Sequence, residues 1–130
     1  MATLKISDLS VGDWVQDNYG DYIKVAGMWQ GCNFNYQVDV LRDGRIGTIV
    51  PCNIHPIPIT AEILEKNGFE KISKTQPWFR YKTDITVARY ADDLWGFGIG
   101  VACNELWGLS GVHDLQHAMR LAGVDKEINL

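Results

Sequence analysis

The sequence predicts an α+β fold: an N-terminal SH3-like or bent antiparallel β-sheet, a short helix, a second antiparallel sheet and a C-terminal amphipathic helix. Three observations carry this. Residues 8–50 break into short alternating runs separated by polar turns, the mark of half-buried strands. From Trp95 to Cys103, large residues alternate without exception with Gly or Ala, which is a strand with one packed face and one closely approached face. Residues 110–123 read as a helix from cap to cap. A length of 130 residues suits one domain, 1–130, with subregions 1–58 and 59–130.

The elements follow in order. Asp8 to Val15 is a turn feeding a strand. Tyr22 to Trp29 is a second strand, with Ile23, Val25, Gly27 and Trp29 expected on one face. Phe34 to Val40 alternates at every step, and Asp43-Gly44 marks a hairpin before Ile46 to Val50. Arg42 and Arg45 would oppose each other across a strict two-residue turn, so a longer loop is expected. Three prolines between Pro51 and Pro58 exclude a helix there. Thr60 then caps a short helix, with Ile59 and Leu64 placed as a hydrophobic staple and Gly68-Phe69 as a Schellman ending. Trp78 to Lys82 and Ile85 to Ala91 are further strands, and Asp92-Asp93 is a turn. In the last helix Ser110 is the expected cap, Gly123 the stop, and Val112, Leu115, Met119 and Ala122 the apolar stripe, with Ala118 beside it. Asp125 to Leu130 is expected as a short edge strand.

Composition narrows the function classes. Net charge is −4, and it is spread evenly. Residues 1–58 hold four basic and six acidic side chains, 59–110 six and seven, and 111–130 two and three. No segment carries the basic footprint of a duplex-DNA or anionic-membrane binder. Cys32, Cys52 and Cys103 are odd in number and form no Cys-x-x-Cys pair, so reduced thiols and a cytoplasmic setting are expected. No apolar run suits a membrane span, and the N-terminus lacks a signal-peptide core.

The residues closest to chemistry are His113-Asp114-Leu115-Gln116-His117. Histidines four apart share one helix side and can hold one metal ion. In the zinc-hydrolase version a glutamate follows the first histidine as general base; here Asp114 stands there with a shorter reach. Cys52 and His55 also have ligand-like spacing. The plainer reading makes His113, Asp114, Gln116 and His117 a polar helix edge that anchors the helix or lines a binding surface. Cys103 is expected to pack in the core. The alternating Gly96, Gly98 and Gly100 do not form a dinucleotide fingerprint, which needs a strand-to-helix turn. The aromatic set Trp14, Trp29, Trp78, Phe79, Tyr81, Tyr90, Trp95 and Trp107 is expected to pack in the core, since Lys and Arg do not accompany it as in single-strand binders. No motif calls for a cofactor, and none is expected.

Two resemblances add to this. Val11-Gly12-Asp13-Trp14-Val15, followed by a Gly-Asp turn and a strand, resembles KOW-type barrels of translation and transcription factors. Leu9 to Val15, the block Pro56 to Phe69 and Val112 to Gln116 together resemble a family of short uncharacterised proteins of gut anaerobes and their phages. That resemblance covers essentially the whole chain and implies a cytoplasmic or phage-derived origin. Its relatives commonly carry Glu where this chain has Asp114, and often lack the second histidine. The expectation is therefore a non-enzymatic interaction module, an accessory protein of a phage-like or mobile-element locus. It would bind a protein partner or a second copy of itself rather than nucleic acid. The alternatives are a metal-dependent hydrolase using His113 and His117, and a KOW- or SH3-type nucleic-acid module.

Overall fold

The structure, a computed structural model, describes residues 4–31, 35–82, 84–91, 94–99 and 107–130. It is α+β, with two antiparallel sheets and two short α-helices. The chain divides into units Met1–Ile57 and Pro58–Leu130. Cys32, Phe34, Asp92, Asp93, Gly100 and Cys103 lie outside the described residues.

The first unit is a four-stranded meander: β1 (Trp14–Gln16), β2 (Tyr22–Gln30), β3 (Tyr36–Arg42) and β4 (Arg45–Ile49), in that order across the sheet. Period-two alternation sends Val15, Ile23, Val25, Val38 and Val40 to one face, where they meet Leu4, Leu9 and Ile54 in a single core. Burying each such side chain contributes roughly 1.5–3 kcal/mol. The expected single face for β2 fails at a bulge. Val25 pairs with Val40 and Gly27 with Asp39, so Ala26 is an extra residue. The bulge reverses the alternation, and Trp29 emerges exposed on the opposite face from Ile23 and Val25.

The β3–β4 hairpin is tighter than expected. Arg42 faces Arg45 across Asp43-Gly44 alone, and both turn residues have positive φ, 49° and 77°, as a type I′ turn requires. The like-charge cost is relieved because Arg42 turns away to two carboxylates, 2.7 Å from Asp17 and 3.2 Å from Asp21. Beyond β4, Pro51–Asn53 forms one 3₁₀ turn with the proline at its start. His55 then pairs with Gln16 as an isolated antiparallel bridge, through backbone bonds of 2.9 and 2.8 Å.

The second unit contains α1 (Ala61–Lys66), β5 (Glu70–Lys71), β6 (Trp78–Tyr81), β7 (Ile85–Ala91), β8 (Leu94–Ile99), β9 (Trp107–Leu109) and α2 (Val112–Leu121), with the strands again in sequential order. Local sequence sets both ends of α1. Thr60 Oγ1 accepts from the Ile63 N–H at 3.2 Å, and Ile59 and Leu64 are buried. At the other end Gly68 takes φ +88° while Phe69 N–H bonds Leu64 O at 3.0 Å, a Schellman ending. Phe79, Val87, Trp95 and Phe97 occupy the large-residue face, as their alternation requires.

α2 differs in detail from expectation. Gly111, not Ser110, is the N-cap residue. Asp114 reaches back instead, accepting the Ser110 backbone N–H at 2.9 Å and its hydroxyl. The buried stripe is Val112, Leu115, Ala118 and Met119, with Ala122 half-buried. Residues 125–130 form no strand. They are held by the buried Asn67 side chain, whose amide donates to Asn129 O and accepts Asn129 N–H, both at 2.7 Å. The aromatic set is not wholly core: Phe79 and Trp95 are buried, but Trp29, Trp78, Tyr90 and Trp107 are exposed.

Candidate functional site: the open edge and cleft of the first sheet

An antiparallel sheet has two edges, and an unpaired edge is a template for another chain. The β1 edge is sealed by His55, and Gln16 Nε2 adds a bond to Pro56 O at 2.7 Å. The β4 edge has no partner strand among the described residues. A two-residue turn makes Arg42 and Arg45 a hydrogen-bonded pair, so alternate β4 residues bond inward. Ile46 and Thr48 therefore present their backbone N–H and C=O outward.

A cleft of about 620 Å³ adjoins β4. Its walls are the β1–β2 turn (Asp17, Asn18, Tyr19), the β3–β4 hairpin with Arg42 and Arg45, and Asn53. The turn is built by Asp17. Its Oδ1 accepts the Tyr19 and Asp21 N–H groups at 2.9 and 3.0 Å, while Oδ2 takes Arg42. This is an Asx-turn. Burial by itself would raise the Asp17 carboxyl, but the Arg42 guanidinium and the two N–H groups outweigh it and hold the acid below its ordinary 3.8. Tyr19, 90% exposed, stands at the rim.

The sequence-selected residues fall into separate places. Cys52 is exposed, with its thiol 3.7 Å from Asn53 Oδ1. His55 is buried and its Nε2 meets Asn18 Oδ1, while Asn18 Nδ2 donates to Asn53 Oδ1 at 3.0 Å. These amides brace the cleft wall. In the second unit the His113 and His117 rings lie 5.9 Å apart, edge to face. Among the described residues, no three His, Cys, Asp or Glu side chains are grouped so as to hold a metal ion. The expected polar surface needs a correction at its first member: His113 is only 1% exposed, because α2 turns its ring inward beside the stripe. Asp114, Gln116 and His117 are half-buried. Burial raises the Asp114 carboxyl, yet the two Ser110 donors and the neighbouring His113 and His117 bring it below 3.8.

The other face of the first sheet carries Trp14, Lys24, Leu41, Trp29 and Ile46 by register. Lys24 Nζ lies 5.5 Å over the Trp14 ring. Asp39 sits among them, accepting from Trp29 Nε1 at 3.1 Å and Thr48 Oγ1 at 3.2 Å. Its carboxylate orients the indole and places negative charge on this face.

Sequence reasoning missed the Asp17–Arg42 cluster. The available signal was Asp17-Asn18-Tyr19-Gly20, an Asx-turn composition between two alternating runs. No helix among the described residues is long and apolar enough to cross a membrane. No protein-family model, curated protein or solved structure matches this chain.

Proposed function

We propose that the protein is a non-enzymatic interaction module that receives an extended segment of a partner protein along β4. The observation that carries this is the asymmetry of the first sheet. One edge is sealed by the Gln16–His55 bridge, and the other has no partner strand among the described residues and lies beside a cleft. An added strand would use the outward groups of Ile46 and Thr48 for main-chain bonds and place alternate side chains in the cleft. A protein partner suits the cleft better than nucleic acid does. Arg42 is neutralised by Asp17 and Asp21, and Asp39 occupies the aromatic face. A cytoplasmic accessory role in a phage-like or mobile-element locus accords with the whole-chain resemblance described above.

Selection of short peptides from a random display library tests the proposal. The expected binders perturb the amide resonances of residues 45–49 and are lost in Ile46→Pro, which removes one outward N–H at an exposed position. Binders that leave those amides unchanged, or an empty selection, contradict it.

A further inference from the structure

We infer that the second unit carries a binding site for a small molecule bearing a carboxylate or phosphate group, centred on Lys71 and Arg89. Lys71 on β5 is in register with Phe79, and Phe79 with Val87. Arg89 lies two residues beyond Val87, so both cations project from the sheet face that holds Phe79 and Trp95. They line one cleft of about 360 Å³, together with Phe79, Trp95, Pro77 and Thr60. Ligand clefts commonly begin at about 300 Å³.

Charge makes the cleft selective. Among the described residues no carboxylate lines it, and none pairs with Lys71 or Arg89. Lys71 and Arg89 both line the cleft and are both exposed, so an oxyanion entering it meets two cations. The planar guanidinium of Arg89 can bind two of its oxygens at once, and Lys71 supplies a second charge. The Arg89 backbone is fixed in the sheet, where its main-chain N–H bonds Pro77 O at 3.0 Å and the residue pairs with Trp95 across the ladder. The apolar part of the ligand would rest against Pro58, Ala61 and Pro77, which line the cleft and are not buried.

The test titrates the full chain with benzoate and, separately, with inorganic phosphate, following the Trp95 indole N–H by NMR. The expected result is a saturable shift with a Kd of about millimolar, weakened as salt is raised. Arg89→Gln and Lys71→Gln should each weaken it by roughly tenfold. Tighter benzoate assigns a carboxylate with a flat apolar body, and tighter phosphate assigns a phosphate ester; either supports an oxyanion centre. Failure of both probes to saturate, or binding unchanged in the variants, overturns the inference. Both residues are exposed, so the variants should keep the wild-type spectrum elsewhere. Should either unfold, salt-independent binding to the wild type overturns it equally.

Discussion

The two units fix their irregular segments with different chemistry. In the first, a buried carboxylate does it: Asp17 closes the β1–β2 turn and ties it to the hairpin through Arg42. In the second, a buried amide does it: Asn67 grips the backbone of Asn129 through two reciprocal bonds. An amide is indifferent to pH and salt over the ordinary range, whereas an ionised acid is not. The Asp17 turn should therefore respond to acid while the Asn67–Asn129 clasp does not, and that turn borders the cleft beside β4.

The largest expected effect is Asp17→Ala. It removes two caps on backbone N–H groups and the partner of Arg42, and should destabilise the first unit by roughly 3 kcal/mol. Residue-resolved hydrogen exchange should show the loss in β1 to β4 and spare β5 to β9. Uniform loss across both units would break the contrast. Next is Asn67→Ala, at about 2 kcal/mol, because it leaves the Asn129 backbone groups unpaired. Here the readout is accelerated exchange at Asn129, with β1 to β4 unaffected.

Acid sharpens the comparison further. The folded Asp17 carboxyl titrates below its ordinary 3.8. Its stabilisation is therefore complete above that value and is lost as pH falls through the lower folded value. Asp114 has the same sign, so the second unit should also lose some stability in that window. Asp17→Asn should flatten the acid response of the first unit only, and Asp114→Asn that of the second only. The smallest effect is the stability cost of Asp114→Asn near neutral pH, about 1 kcal/mol, visible as faster exchange at Ser110 and in the first turn of α2.

What was legible in the sequence was local. The cap and Schellman ending of α1 involve residues within one turn of each other, so Thr60, Gly68 and Phe69 announce them. The alternation of Trp95, Phe97 and the glycines likewise set the core face of β8. What was missed depends on partners distant in sequence. The two-residue hairpin is tolerable only because Asp17 and Asp21 receive Arg42. The bulge at Ala26 exists only against the register of β3. His113 looked like part of a surface because spacing shows which helix side a residue takes, not what covers that side. The Lys71–Arg89 cleft joins separate strands, and no motif spans them.

The central claim is an asymmetry of the first sheet: among the described residues the β4 edge has no partner strand, while the β1 edge is bridged by His55. Amide hydrogen exchange of the full chain, near neutral pH and without ligand, tests it most directly. The account predicts strong protection of the Gln16 and His55 amides, which bond each other's carbonyls, and near-intrinsic exchange at Ile46 and Thr48. Protection at Ile46 and Thr48 equal to that at Gln16 and His55 would mean that the β4 edge is already covered, and would contradict it.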